Sequence, residues 1–416
     1  MIKRILYTLL IMFPVLASAQ INTDRVMAIG RNALYFEDYV LSIQYFNQVI
    51  NAKPYLSDPY FYRGLAKINL DDFQGAESDC SEAIERNPFV VSAYQVRGLA
   101  RIQQNNFAGA IEDYTKALEF DPENIGVWHN MALCRIRQED YKGAKNDLDK
   151  LIAISPRYTK AYLMRGEVDL KQKDTLAAEK DFGKAIEIDR YDADTWASRA
   201  ILRLQQQRYK DAEADFDHAI RLSTRNSGVY INRALARYHQ NNLRGAMSDY
   251  DIALDIDPNN FIGHYNRGLL RAQVGDDNRA IQDFNFVIEM EPDNMMAIFN
   301  RGLLLDQTGD YKGAIKDYST VINEYPNFLL GYQYRAQARR KIGDVKGADA
   351  DEFKVLKAQL DKQNGVDPNK QTADNTENNK TRKKSDKNMN NYRKIVVADN
   401  EEGEEKYKSD YRGRVQ

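Results

Sequence analysis

The 416-residue chain is poor in the side chains that most often carry chemistry: it has two cysteines, two tryptophans and four histidines. With only Cys80 and Cys134, no disulfide framework can hold it together. The histidines, His129, His218, His239 and His264, stand at no spacing that suits a metal, and read as isolated surface or groove residues. Charge of one sign is also missing. Fifty-nine basic and 61 acidic side chains give a formal net charge of −2, so no overall field draws the chain to nucleic acid. The N-terminal apolar run, Ile5 to Leu16, is interrupted by Pro14 and, at about 12 residues, is short of the roughly 20 that span a bilayer. It follows Lys3 and Arg4 and precedes Ala17-Ser18-Ala19, the pattern of a cleavable signal peptide over residues 1–19. Gln20 stands where lipoprotein acylation would need a cysteine. The expectation is an exported, periplasmic protein of the cell envelope with no membrane span.

What the chain has is a period. Seven of its ten prolines share one phase of 34 residues: Pro54, Pro88, Pro122, Pro156, Pro258, Pro292 and Pro326. A small column, Gly30, Gly64, Gly98, Ala132, Gly166, Ala200, Ala234, Gly268, Gly302 and Ala336, runs at the same period. A second, from Ser42 through Ala76 and Ala110 to Ala348, lies twelve residues on, and a large column including Phe46, Tyr114, Phe182, Phe216, Tyr250, Phe284 and Tyr318 follows one helical turn later. Small columns at that offset are what two closely crossing helices need, so each repeat reads as helix, short turn, helix, then a proline-marked turn.

These columns resemble the tetratricopeptide repeat, whose pattern is W-x2-L-G-x2-Y…A-x3-F…P over 34 residues. Trp128, Ala132, Ala144, Leu148 and Pro156 fit it, as do Trp196, Ala200, Ala212 and Phe216. The resemblance covers ten tandem repeats over residues 23–362. It implies an all-α fold, a right-handed α-solenoid whose first helices line a concave groove. The last repeat departs from the pattern with Glu352 in the large column, as a polar end cap requires. Residues 363–416, rich in Asn and Lys, read as a solvated, disordered polar tail, with YRKIVVAD standing out as a docking segment or the edge of a further domain.

Charges recur inside the seam. An arginine column (Arg63, Arg97, Arg165, Arg199, Arg233, Arg267, Arg301, Arg335) is interrupted by Met131, and an aspartate column runs Asp79, Asp113, Asp147, Asp181, Asp215, Asp249, Asp283, Asp317, Asp351. Repeat one has Ile29 and Tyr45 there and lacks both. A half-buried arginine needs a partner, so the columns are read as a structural ion-pair ladder, with a basic stripe for acidic partners as the alternative. Several repeats also put arginine where the family has tyrosine: Arg101, Arg135, Arg203, Arg237, Arg271 and Arg339.

For partners, the resemblance turns attention to the first-helix face. Leu65, Leu99, Leu133, Ile201, Leu235, Leu269 and Leu303 form one inward column, and Phe61, Ile231, Tyr265 and Phe299 lie a turn earlier. An apolar groove of this kind receives a helix or an extended segment; the competing reading is that these side chains only pack between neighbouring helices. Asn232, Asn266 and Asn300 supply only the asparagine of the family's carboxylate clamp among apolar neighbours, which disfavours capture of chaperone tails. No histidine pair, carboxylate cluster or phosphate-loop signature accompanies them; the recurring G-D-Y-K-G-A lacks G-x4-G-K-[ST]. The expectation is a non-catalytic scaffold without cofactor or metal that binds protein or peptide segments and no nucleic acid. The alternative is the scaffold half of a larger envelope enzyme or sensor.

Overall fold

The computed structural model describes residues 22–222, 225–364, 389, 392–396 and 398. The expected signal peptide and most of the tail lie outside these. Among the described residues there are twenty helices and no strand.

Residues up to Arg190 form one compact unit. It contains α1 (Thr23–Tyr35), α2 (Tyr39–Ala52), α3 (Asp58–Ile68), α4 (Phe73–Arg86), α5 (Val91–Gln103), α6 (Phe107–Phe120), α7 (Ile125–Arg137), α8 (Tyr141–Ile154), α9 (Thr159–Lys171) and α10 (Thr175–Ile188). A second unit starts at Tyr191 and runs to Gly403. It holds α11 (Ala193–Gln205), α12 (Tyr209–Arg221), α13 (Ser227–His239), α14 (Leu243–Ile256), α15 (Phe261–Gln273), α16 (Asp277–Met290), α17 (Met295–Thr308), α18 (Tyr311–Glu324), α19 (Leu329–Lys341) and α20 (Val345–Gln363). Each odd-numbered helix packs against the even-numbered helix that follows it, and within each unit that helix packs against the next repeat. This is an all-α solenoid of helical repeats.

The columns explain the pairing. Phe182 is wholly buried, and a Cβ on Gly166 would sit 2.5 Å from its ring; at Gly98 it would sit 2.9 Å from Tyr114. The small residue lets the backbone of one helix approach the aromatic of its partner. No repeat closes its own core, because the apolar clusters join helices of successive repeats.

The G-D-Y-K-G-A stretch is a helix cap. Asp310 accepts a hydrogen bond from the Gly313 amide at 3.0 Å, and a Cβ on Gly313 would lie 2.4 Å from that carboxylate. Asp72, Asn106, Asp140 and Asn242 cap their helices the same way. The preceding turn needs a left-handed residue, supplied by Glu37, Asp71, Asn105, Glu139, Lys173, Gln207 and Asn241 in the first seven repeats and by Gly275, Gly309 and Gly343 in the last three.

Both cysteines are buried free thiols; burial pushes Cys134 up to about 12 and Cys80 higher still. Two of the histidines, His218 and His239, are exposed as expected, and the other two are not. His129 is fully buried, with Nδ1 3.2 Å from the Tyr158 hydroxyl; His218 stacks on Trp196 and His239 on Tyr209. His264 joins the aspartate column, its Nδ1 3.0 Å from Asp283. No group of three potential metal ligands occurs among the described residues, and none of their helices is long and apolar enough to cross a membrane.

Candidate functional site

The arginine and aspartate columns meet. Arg97 lies 2.6 Å from Asp113, Arg165 2.6 Å from Asp181 and Arg199 2.9 Å from Asp215. Arg233 lies 2.6 Å from Asp249, Arg267 2.8 Å from Asp283 and Arg301 2.7 Å from Asp317. Every aspartate in the column is buried, so each carboxylate exchanges water for guanidinium. The unit is larger than a pair. Arg101, Arg203, Arg237, Arg271 and Arg339 reach the same aspartate from the tyrosine position, at 2.7 to 3.1 Å. The first arginine also spends its remaining nitrogen on the preceding repeat: Arg165 on Asp149, Arg233 on Asp217, Arg267 on Asp251. The ladder therefore ties second helices of successive repeats together through the arginine between them. Burial raises the carboxyls of Asp113, Asp249 and Asp317 from their ordinary value despite their arginines. At Asp283 burial also raises, but His264 and the two arginines outweigh it and hold the carboxyl low.

Repeat four is the exception, because Met131 takes the place of the column arginine. Asp147 keeps only Arg135, whose Nε is 2.9 Å away without hydrogen-bond geometry, and burial pushes its carboxyl up to about 7. Its folded pKa thus lies above its unfolded one. The stability it contributes is fully present below the ordinary carboxylate range and is lost as pH rises through 7. Asp147→Asn is expected to remove that slope, leaving α7 and α8 more stable than wild type at pH 8 by more than about 1 kcal/mol. Hydrogen exchange of α8 amides at pH 5 and pH 8 checks this; equal protection of the two proteins at pH 8 would contradict it.

The predicted groove residues divide by unit. Phe61, Leu65 and Leu133 are 6, 2 and 7% exposed. They are buried in clusters with neighbouring first helices: Phe61 and Leu65 with Leu34, Ala93 and Ala100, and Leu133 with Ala161 and Val168. Leu99 is half-buried in the same cluster as Leu65. In the second unit the predicted residues share their clusters with the tail. Ile231 clusters with Ala398, Ile201 and Leu235 with Ile395, and Tyr265, Leu269, Phe299 and Leu303 with Met389, Tyr392 and Val396.

This segment lies in YRKIVVAD, which stood out from the polar tail as a docking segment or the edge of a further domain, and three asparagines hold its backbone. Asn232 on α13 donates to the Ala398 carbonyl and accepts from the Ala398 amide, both at 2.9 Å. On α15, Asn266 does the same for Val396, at 2.7 and 2.9 Å. Asn300 on α17 donates to the Tyr392 carbonyl, which also accepts from the Tyr265 hydroxyl at 2.7 Å. The Tyr392 ring meets Phe299 edge-on, with centroids 4.9 Å apart. Moving one repeat, from Asn232 to Asn266, moves the bonded residue back by two. Two residues of extended chain rise about 6.7 Å and two of helix about 3 Å, and only the former suits first helices a repeat apart. The segment therefore runs against the repeat order, with a turn at Tyr392 and Arg393 and no regular structure from Lys394 to Val396. Beside it lies a cavity of about 440 Å³, lined by Leu269, Leu303, Leu304 and Gln307 with Arg393 and Ile395.

The asparagines were visible in the sequence as three consecutive members of one column, and their role was missed. Judged against the carboxylate clamp they were incomplete, whereas main-chain pairing needs only an amide that both donates and accepts.

Comparison with known proteins agrees with this architecture. The chain matches the family described as TPR repeat at residues 98–134 and that described as tetratricopeptide repeat at 125–158, 159–192, 198–261 and 265–327. Curated proteins give no match. Among solved structures it is similar to a tetratricopeptide repeat protein from Parabacteroides merdae, at 21% identity over 60% of this chain and 98% of that one, with a TM-score of 0.47. The C-terminal part of a repeat protein from Cytophaga hutchinsonii is 18% identical over 57% and 97%, with a TM-score of 0.48. YrrB, a TPR protein with an unusual peptide-binding site, is 18% identical over 44% and 95%, with a TM-score of 0.40. With the 34-residue columns, the paired helices and the family matches in agreement, the chain belongs to the tetratricopeptide repeat family.

Proposed function

We propose that this is a non-catalytic scaffold of the bacterial cell envelope that receives segments of partner proteins in a concave groove formed by the first helices of repeats seven to nine. The observation that supports it is the asparagine column: three amides at the repeat period, each spent on the backbone of one tail segment. Apolar walls with a few convergent polar groups are the usual make-up of a site that takes a peptide. The export part of the reading is supported by Lys3-Arg4, the apolar run and Ala17-Ser18-Ala19.

A photo-crosslinking residue placed at Leu303, in the cavity wall, tests the reading in the full chain in cells. Its cross-links, other than those to the chain's own tail, should map to one contiguous segment of a second polypeptide. The same residue at Met290, exposed on α16, should give none of them. Identical products from both sites, or none from Leu303, would overturn the groove.

A further inference from the structure

Resting on that reading, the bonded segment itself indicates what kind of chain the groove takes. Its contacts fall into two classes. The asparagines touch backbone only, and they need an N–H at the positions of Val396 and Ala398, so proline is excluded there and no other identity is read. Side chains are read at three places. Tyr392 fills an aromatic corner against Phe299, Val396 packs in the apolar cluster of repeats eight and nine, and Ala398 is buried at the opposite end in the cluster of Ile231 and Leu270. Between them Arg393 and Lys394 are exposed, so charge is tolerated where the chain arches over the cavity.

We propose that the groove is a receptor for a segment of the pattern aromatic-x-x-x-Val-x-Ala that turns at its aromatic residue, has no proline at the Val and Ala positions and runs against the repeat order, and that Tyr392–Ala398 is the resident copy which a foreign segment must displace. The resident is not a perfect fit. Ile395 forms part of the wall of a cavity of about 440 Å³, which it leaves open. A segment with a large aromatic residue at the Ile395 position gains apolar burial that the resident lacks. The occupant is thus self-limiting: it covers Asn232, Asn266 and Asn300 without using all the space available to a competitor.

The test uses the full chain in two forms, wild type and Val396→Pro with Ala398→Pro, whose changes remove the two bonded N–H groups and touch no helix. The probe is a fluorescent synthetic peptide of residues 387–400. A groove that is 90 to 99% occupied by its own tail weakens apparent affinity for the probe about 10- to 100-fold. The proline form should therefore bind the probe about that much more tightly than wild type. A probe carrying the same two prolines should not bind, a probe with Ile395→Trp should bind tighter, and Asn266→Ala in the proline form should weaken binding with the helical circular dichroism unchanged. Equal affinity of the two forms, or equal binding of a scrambled probe, would overturn the proposal. So would an oligomer of the wild type that the proline changes dissolve, since the tail would then sit in a second copy. If no probe binds either form while partner cross-links at Leu303 persist, the segment pattern fails and the scaffold reading stands.

Discussion

Replacing Arg233 and Arg237 together with methionine is expected to destabilise α13 and α14 by about 3–5 kcal/mol, the range for a buried charge left without partners. Asp249 is almost fully buried and takes three bonds: Nε and Nη2 of Arg233 at 3.0 and 2.6 Å, and Nη1 of Arg237 at 2.9 Å. Either arginine alone still neutralises it, so each single change should cost well under half of the double one. Asp249→Asn in the double background should restore much of the loss, because no charge is then stranded. A solenoid can open repeat by repeat, so the readout is hydrogen exchange of α13 and α14 amides in the full chain, not one melting temperature. Additive single losses within about 0.5 kcal/mol would show that the two arginines do not share the carboxylate.

Phe182→Ala is expected to cost about 3–5 kcal/mol, the range for emptying a fully buried aromatic site. Its ring is wholly buried and lies against Gly166, where a Cβ would come within 2.5 Å. Gly166→Leu should also destabilise, by overpacking, at about 1–3 kcal/mol. Combined, the leucine enters the space that the ring has left, and the double variant should be more stable than Phe182→Ala alone. In the next repeat Ala200 and Phe216 hold the same two phases and are buried in one cluster, so that repeat accommodates a methyl where Gly166 has none. Denaturant unfolding followed with exchange at α9 and α10 measures all three; a double variant less stable than Phe182→Ala would show that the columns do not set each other's size.

The architecture was legible because it is written ten times. A stacked repeat must bury the same positions in each copy, so Gly166 and Phe182, or Arg233 and Asp249, announce themselves by phase before any contact is known. The two-arginine fork was half legible: Arg237 stood out as replacing a tyrosine, but only the geometry shows both guanidiniums on one carboxylate. What phase cannot show is depth. Leu65 and Leu269 share a column, yet Leu65 is sealed by Ala93 and Ala100 of the next first helix while Leu269 lines an open cavity. The tail was half legible: YRKIVVAD stood out by its apolar residues, but a backbone held by asparagines leaves no mark that says where the segment docks. His129 was misplaced for a related reason: it is fully buried and meets Tyr158, 29 residues away at the turn that ends the same repeat.

The order of synthesis gives the docked segment a further meaning. Tyr392 follows Asn300 by 92 residues, so all three asparagines have emerged from a ribosome well before the strand that covers them. At about 5–20 residues per second, that interval is roughly 5–18 s. Wherever the chain folds, the docked segment is the last of these elements to become available, so repeats seven to nine leave their apolar floor uncovered until residues 392–398 join them.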